Sequence, residues 1–126
     1  MAFNLFFVRR KKSIKKSPKI YLDNKEKARS LVNARLEYFN QFYGFKWSRL
    51  SIKNTKRRWG SCSKKGNLNF CYRVVFLPQD SADYIVAHEL CHLGQFNHSK
   101  EFWGLVARLI PDYKVVRNSL KDVKIS

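Results

Sequence analysis

Acidic residues are scarce in this chain, which has 9 Asp and Glu against 26 Lys and Arg over 126 residues, a formal net charge of +17. Long apolar runs are missing as well, and none approaches the roughly 18 residues of a membrane-spanning helix. At 44% hydrophobic and 15% aromatic residues, the composition is nonetheless that of a folded protein. It therefore excludes a membrane span and a fully disordered protein, and the length suits one domain.

Cysteine is also rare, with only Cys62, Cys71 and Cys91 in the chain. Three residues are too few, and odd in number, for a disulfide framework. The short apolar stretch at residues 3–8 precedes the basic residues, whereas a secretory signal has its basic region first. We therefore expect reduced thiols, a cytoplasmic location and no membrane partner, with Cys91 packed inward as a small apolar residue.

The basic residues crowd near the N-terminus, where seven of them fall within eleven positions: Arg9, Arg10, Lys11, Lys12, Lys15, Lys16 and Lys19. We expect residues 1–22 to form a basic, solvated arm and residues 23–126 to form a single domain. Such a charge attracts nucleic acid and other polyanions in general. It indicates a class of partner and no particular chemistry.

Strands are predicted in the middle of the chain. Residues 48–53 place two apolar side chains on one face, and residues 67–77 show the clearest alternation of the sequence. Residues 63–66 end in a glycine, which is typical of a hairpin turn.

Four helices are predicted from apolar residues at helical spacing. Polar residues mark their beginnings, and glycine or proline marks three of their ends. Glu26 and Asp83, each three residues after a predicted cap, are typical of capping boxes. The predicted caps are Asp23, Asp80, Ser99 and Asp112, and the predicted ends are Gly44, Gly94 and Pro111.

All three histidines of the chain lie within eleven residues, at His88, His92 and His98. The first two form the pattern H-E-x-x-H with Glu89. Residues four apart lie on one face of a helix, so His88 and His92 can hold one metal ion. Glu89 lies about 100° round that helix, outside the ligands but close to a water at the metal. A carboxylate there can act as general base and then as general acid.

A catalytic zinc site needs a third protein ligand and an open position for water. His98 follows His92 by six residues, the spacing of the longer pattern H-E-x-x-H-x-x-G-x-x-H. That pattern has glycine at position 95, where this chain has Gln95, and the glycine is one residue earlier at Gly94. We predict one Zn²⁺ held by three histidines and a water, because neutral imidazoles suit zinc.

Candidates for substrate binding lie just before and within the predicted site helix. Asn69 and Arg73 share one face of the predicted strand 67–77, and an edge strand near zinc can pair with an extended peptide. Arg73 could also neutralise an oxyanion or a phosphate, and Tyr84 and Tyr113 are further candidates for oxyanion support. We therefore take Asn69, Arg73 and Tyr84 as the candidate substrate-binding residues.

Five short blocks resemble the YgjP-like metallopeptidase family, in the family order over residues 45–115. They are R-W-G-S-C-S at 58–63, G-N-L-N-F at 66–70, H-E-L-C-H at 88–92, N-H-S at 97–99 and F-W at 102–103. The resemblance implies an α+β, zincin-like fold in which a small antiparallel sheet packs against an N-terminal helix and the helix carrying the metal ligands. It assigns the ligands to His88, His92 and His98, and the catalytic carboxylate to Glu89. It also implies distant kinship with SprT-like and WLM-type zinc proteases.

Three functions follow from these observations. The first is a zinc-dependent metallopeptidase acting on a peptide or protein substrate. The second is a metal-dependent nucleoside triphosphate (UTP) pyrophosphatase, an activity assigned within the family; Glu89 is the only acid inside the motif, which favours peptide bonds. The third is a nucleic-acid-associated zinc protein or a DNA-associated protease, suggested by the basic arm and by Trp47, Trp59 and Trp103.

Overall fold

The structure, a computed structural model, describes residues 18–125. Its elements are helix α1 (Lys19–Asn40), strands β1 (Arg49–Lys53), β2 (Gly60–Cys62) and β3 (Asn67–Cys71), a 3₁₀ helix (Tyr72–Phe76), and helices α2 (Gln79–His92), α3 (Lys100–Leu109) and α4 (Tyr113–Leu120). The predicted α+β class is confirmed. Residues 1–17 of the predicted basic arm lie outside the described residues. Among the described helices, none is both long and apolar enough to cross a bilayer.

The sheet is mixed, with strand order β1-β3-β2. β2 pairs antiparallel with β3 through the predicted turn, in which the N–H of Gly66 donates to the carbonyl of Ser63 over 2.9 Å. β1 runs parallel to β3, with Leu50 opposite Leu68. The expectation of a wholly antiparallel sheet is therefore wrong. The chain leaving β1 crosses to the far edge to form β2, and the hairpin then returns β3 between them.

The predicted strand 67–77 is correct only as far as Cys71. Tyr72 and Val74 are buried at 1% and 0% exposure, but in a 3₁₀ helix that packs on α1. The sequence predicts a strand here because its apolar residues alternate. A short segment that is buried on several sides can show the same apolar pattern as a strand with one buried face. As a consequence, Arg73 does not share a strand face with Asn69.

α1 begins at Lys19, directly after Pro18, and not at Asp23. Asp23 instead forms an ion pair with Lys19 one turn earlier, with Nζ and Oδ2 2.9 Å apart. Residues 19–22, which were assigned to the arm, therefore belong to this helix. Proline suits the start of a helix because its fixed φ is already helical and its missing N–H is not needed there.

α2 likewise begins after a proline, Pro78, without a side-chain cap from Asp80. Asp83, expected to support that cap, instead accepts two hydrogen bonds from the guanidinium of Arg35 in α1. The predicted cap of α3 is confirmed, because the hydroxyl of Ser99 accepts from the N–H of Phe102 over 3.2 Å.

The hydrophobic core lies between the inner face of the sheet, α1 and α2. Ile52, Leu68 and Phe70 of the sheet are buried there. α2 lies at the centre, and ten of its 14 residues are buried. Each fully buried large aliphatic or aromatic side chain stabilises the fold by roughly 1.5–3 kcal/mol. The helix that carries the H-E-x-x-H pattern is therefore held on several sides.

Candidate metal centre

The structure brings the three histidines together. His88 and His92 lie one turn apart on α2, and the loop that follows returns His98 to them. The Nε2 atom of His98 is 3.1 Å from that of His92 and 3.3 Å from that of His88. The candidate ligand atoms all lie within 4.8 Å of one another. The three residues singled out by their spacing thus form one cluster.

The loop between His92 and His98 is fixed at both ends. Where α2 ends, the N–H groups of Gly94 and Gln95 both donate to the carbonyl of Cys91, over 3.0 and 3.1 Å. Gly94 does not adopt a positive φ. Its role is close packing, because a Cβ there would lie 2.7 Å from Cζ of Phe45. The cap of α3 follows His98 directly, so the glycine displaced from the longer pattern still lets the chain return.

Aromatic rings of α3 and α4 support the histidines. Phe102 stacks on His92 with ring centroids 4.3 Å apart. Trp103 stacks on His98 at 5.8 Å and on Tyr113 at 4.9 Å. The F-W block that the sequence showed without a role therefore forms the wall that holds two imidazoles in place.

Hydrogen bonds determine which nitrogen atoms of the imidazoles are free. His92 Nδ1 lies 3.0 Å from the carbonyl oxygen of Gln95, which can only accept, so Nδ1 carries the proton and Nε2 presents a lone pair. His88 Nδ1 lies 3.2 Å from the hydroxyl of Tyr84, which can accept in the same way. Nδ1 of each ring is taken up in this way, so Nε2 is the nitrogen that each ring presents to the cluster.

Burial also keeps these rings neutral. It lowers the pKa of His88 to about 3, with smaller contributions from His92, His98 and Arg117, and it lowers the pKa of His92. The Nε2 atom of His98 lies 3.1 and 3.3 Å from the Nε2 atoms of His92 and His88. The edge of a tetrahedron around zinc with Zn–N bonds of 2.0–2.1 Å measures about 3.3 Å. The donor set therefore fits a zinc ion.

Glu89 lies buried beside the cluster, under the edge of the sheet. It is 7% exposed, and a Cβ on Gly60 of β2 would lie 3.0 Å from its Cγ. Burial raises the pKa of Glu89 to about 8, against the opposing charge of Arg58. Burial and then the Glu89 charge raise the pKa of Cys62 to about 11. The R-W-G-S-C block thus lies over the carboxyl group of Glu89. Arg58 contributes a positive charge, Gly60 leaves space for the side chain, and Cys62 interacts electrostatically with the carboxyl group.

A pocket of about 270 Å³ opens beside His88 and Glu89. Gly60 lines one side, and Arg117 and Lys121, at the end of α4, line another. Sequence reasoning missed these two cations, because no local signal distinguishes them from the many other basic residues of the chain.

A match to a protein-family model identifies the family of this chain. A model described as YgjP-like, metallopeptidase domain, matches residues 4–123. The chain belongs to the YgjP-like metallopeptidase family. The predicted family is confirmed, and membership implies a metal and a peptide or protein substrate.

Solved structures of metallopeptidases share this YgjP-like fold. Abylysin of Pyrococcus abyssi, a metallopeptidase zymogen, is 26% identical over 71% of this chain and 90% of its own, with a TM-score of 0.64. Jannalysin of Methanocaldococcus jannaschii, also a metallopeptidase zymogen, is 22% identical over 74% of this chain and 92% of its own, with a TM-score of 0.57. A Wss1 mutant from Saccharomyces cerevisiae is 23% identical over 76% of this chain and 85% of its own, with a TM-score of 0.56. The last two similarities show the fold alone. No sequence among the curated proteins matches the chain.

The candidate substrate-binding residues of this YgjP-like domain do not all lie at the pocket. Tyr84 lines it, with its hydroxyl on His88. Asn69 donates to the hydroxyl of Ser61 on the polar outer face of the sheet. The guanidinium of Arg73 donates to the carbonyl of Thr55 over 2.8 Å. The strand that carries Asn69, β3, is central, and the edge strand beside Glu89 is β2.

Proposed function

We propose that this YgjP-like chain is a zinc-dependent peptidase in which His88, His92 and His98 hold one Zn²⁺ and Glu89 is the general base. The observation that carries the proposal is the convergence of three imidazole nitrogens beside a buried carboxyl group, in a member of a metallopeptidase family. The chemistry that zinc supplies with such ligands is polarisation of a carbonyl and activation of water.

Glu89 provides the proton transfer. Its carboxylate accepts a proton from the attacking water and later delivers that proton to the nitrogen of the leaving amine. Burial raises the pKa of Glu89, and the positive charge of a Zn²⁺ ion at the three histidines would favour its ionised, proton-accepting form. Gly60 keeps the space above the carboxyl group open.

The edge of β2 supports a peptide as the substrate. The carbonyl of Trp59 accepts from the N–H of Cys71, and the N–H of Ser63 donates to the carbonyl of Asn67. Hydrogen-bonded and non-hydrogen-bonded pairs alternate along an antiparallel ladder, so the main-chain groups of Gly60, between these bonds, point away from β3. An extended peptide can pair with that edge and pass directly over Glu89.

Two groups position the proposed ligands. The carbonyl of Gln95 holds Nδ1 of His92, and the hydroxyl of Tyr84 holds Nδ1 of His88. Burial raises the pKa of Tyr84 to about 12, which keeps the phenol protonated. Such partners orient metal-binding imidazoles and strengthen their binding. We therefore assign Tyr84 to positioning His88, and not to oxyanion support.

The alternatives receive no comparable support. A pyrophosphatase often uses a second metal, yet within residues 18–125 the three histidines form the only group of three or more potential metal ligands. Trp47, Trp59 and Trp103, which suggested a nucleic-acid surface, are partly buried and pack against the core. The three free cysteines support the proposal of a cytoplasmic location.

The experiment that tests the proposal is cleavage of a peptide library by the zinc-loaded protein, with a panel of nucleoside triphosphates assayed in parallel. Peptide cleavage that disappears in a Glu89→Gln variant which still binds zinc would support the proposal. Pyrophosphate release without peptide cleavage, or full peptidase activity in the zinc-loaded Glu89→Gln protein, would overturn it.

A further inference from the structure

The pocket beside the proposed catalytic site has one strongly cationic wall. Arg117 and Lys121 both lie at the C-terminal end of α4 and line the pocket opposite β2. Glu89 is the only acidic residue among the lining residues, and it lies buried at the base. Neither cation forms an ion pair with another residue of the described part of the chain.

Arg117 is held in place by aromatic contacts. Its guanidinium lies 4.9 Å from the ring centroid of Trp103. The same ring stacks on His98 and on Tyr113. A cation over an aromatic face is attracted by the electrons of the ring, and it keeps its N–H donors free at the edge. Arg117 is thus an exposed cation next to the histidines, and its contact with the ring of Trp103 distinguishes it from the many lysines of the surface.

Apolar side chains also line the pocket. Trp59 and Leu120 line it next to the two cations, and Ile85 lines it from α2. A pocket with an apolar body and cations at its rim suits a side chain that has a short aliphatic stem and a carboxylate end. Glutamate and aspartate have that form, whereas lysine and arginine would place like charges together.

We infer that this pocket binds an acidic side chain of the substrate close to the scissile bond, so that the preferred substrates are peptides carrying Glu or Asp at that position. Arg117 and Lys121 are then the residues that determine specificity. The inference rests on the proposed peptidase function. The net charge of +17 assists the encounter with acidic peptides but acts over the whole surface, whereas Arg117 and Lys121 act at one subsite.

Binding to zinc-loaded Glu89→Gln protein tests the inference without requiring cleavage. The probes are fluorescein-labelled hexapeptides of alanine and glycine that carry one Glu or, in the matched peptide, one Gln, placed at each position in turn. Fluorescence anisotropy should show the Glu peptide binding about two- to fivefold more tightly at one position, the range expected of a solvent-accessible ion pair. High salt should reduce this preference.

Variants of the two cations separate the pocket from the net charge. The preference for Glu should disappear in Arg117→Gln/Lys121→Gln and turn toward a Lys peptide in Arg117→Glu/Lys121→Glu. Arg117→Lys should keep it, because the charge remains. The matched controls are Lys27→Gln and Lys64→Gln, which remove exposed cations outside the pocket and should leave the preference unchanged.

The inference would be overturned by equal binding of the Glu and Gln peptides, by a preference that survives loss of both cations, or by an equal loss in the control variants. If Arg117 served only to cover Trp103, Arg117→Gln would lower the melting temperature and leave the preference intact. Cleavage by the parent protein is measured separately. A parent protein that prefers Glu peptides and cleaves none would overturn the proposed function and leave the pocket assignment standing.

Discussion

A methyl group on Gly60 would lie 3.0 Å from Cγ and 3.2 Å from Oε2 of Glu89, so the edge of the sheet rests directly on the carboxyl group of the H-E-x-x-H pattern. The same Cβ would lie 3.1 Å from the carbonyl oxygen of Asn69. Gly60 and Glu89, 29 positions apart in sequence, therefore bring into contact two of the five blocks that carry the resemblance to the family. Glycine here provides room for the carboxyl group of Glu89 and not a special backbone conformation.

Gly60→Ala is therefore expected to displace the Glu89 side chain. Overpacking of this kind costs about 1–3 kcal/mol, and the displacement should lower kcat/KM by more than the loss of stability explains. Urea unfolding measures the loss of stability, and peptide cleavage measures kcat/KM. Zinc content shows whether the variant still binds the metal. The matched control is Gly104→Ala in α3, where a Cβ meets nothing within 4 Å. The free energy of unfolding of that variant should rise by about 0.5–1 kcal/mol, and its activity should stay unchanged. A Gly60→Ala protein as stable and active as the parent would contradict the packing described.

Glu89→Gln should retain zinc and lose peptidase activity. The amide fills the same space beneath Gly60 but does not accept a proton from water at neutral pH. We expect kcat/KM to fall by about 10²–10⁴, the usual contribution of a general base. Metal analysis of the purified variant provides the control, with His92→Ala as the comparison that should lose zinc. A large loss of zinc in Glu89→Gln would place the carboxylate among the ligands and contradict its assignment as base.

Tyr84→Phe should weaken zinc binding without disturbing the fold. The variant removes only the hydroxyl that lies 3.2 Å from Nδ1 of His88 and keeps the buried ring. Loss of a hydrogen-bond partner of a metal-binding histidine lowers metal affinity by about 10- to 100-fold. Competition with a zinc chelator measures the effect, and Tyr38→Phe, on the exposed face of α1, is the control. Unchanged zinc affinity in Tyr84→Phe would show that the contact does not position His88.

The sequence was sufficient for features determined by spacing along one element. The positions of His88 and His92 on one helix face, the cap at Ser99 and the turn ending at Gly66 all follow from local geometry. The contact between Tyr84 and His88 is also local, since the residues are four apart on α2. The spacing of the two residues is therefore visible in the sequence, in which Tyr84 is also a candidate for oxyanion support.

Features that depend on tertiary packing could not be predicted in this way. The parallel pairing of β1 requires knowing where the chain from 54 to 59 crosses, and no residue there marks the crossing. The 3₁₀ helix that replaces the second half of the predicted strand is set by packing against α1. Arg117, at the pocket, lies over the ring of Trp103, which in turn stacks on His98. Each depends on partners distant in sequence.

The ion pair of Arg35 with Asp83 gives a final prediction, because it joins α1 to the helix that carries the site. Its two hydrogen bonds measure 2.7 and 3.0 Å, and the side chains are only 24% and 16% exposed. A double-mutant cycle with Arg35→Gln and Asp83→Asn, followed by urea unfolding, should give a coupling free energy of about 1–3 kcal/mol.

The matched control for that cycle is the pair formed by Lys19 and Asp23 in α1, whose side chains are 87% and 55% exposed. Its coupling should stay below about 0.5 kcal/mol and vanish in high salt, because solvent screens exposed charges. Zinc affinity should change little in Arg35→Gln if α2 is held chiefly by its buried residues. A coupling as small as that of the exposed pair would mean that apolar packing alone, without this ion pair, holds α1 against the site helix.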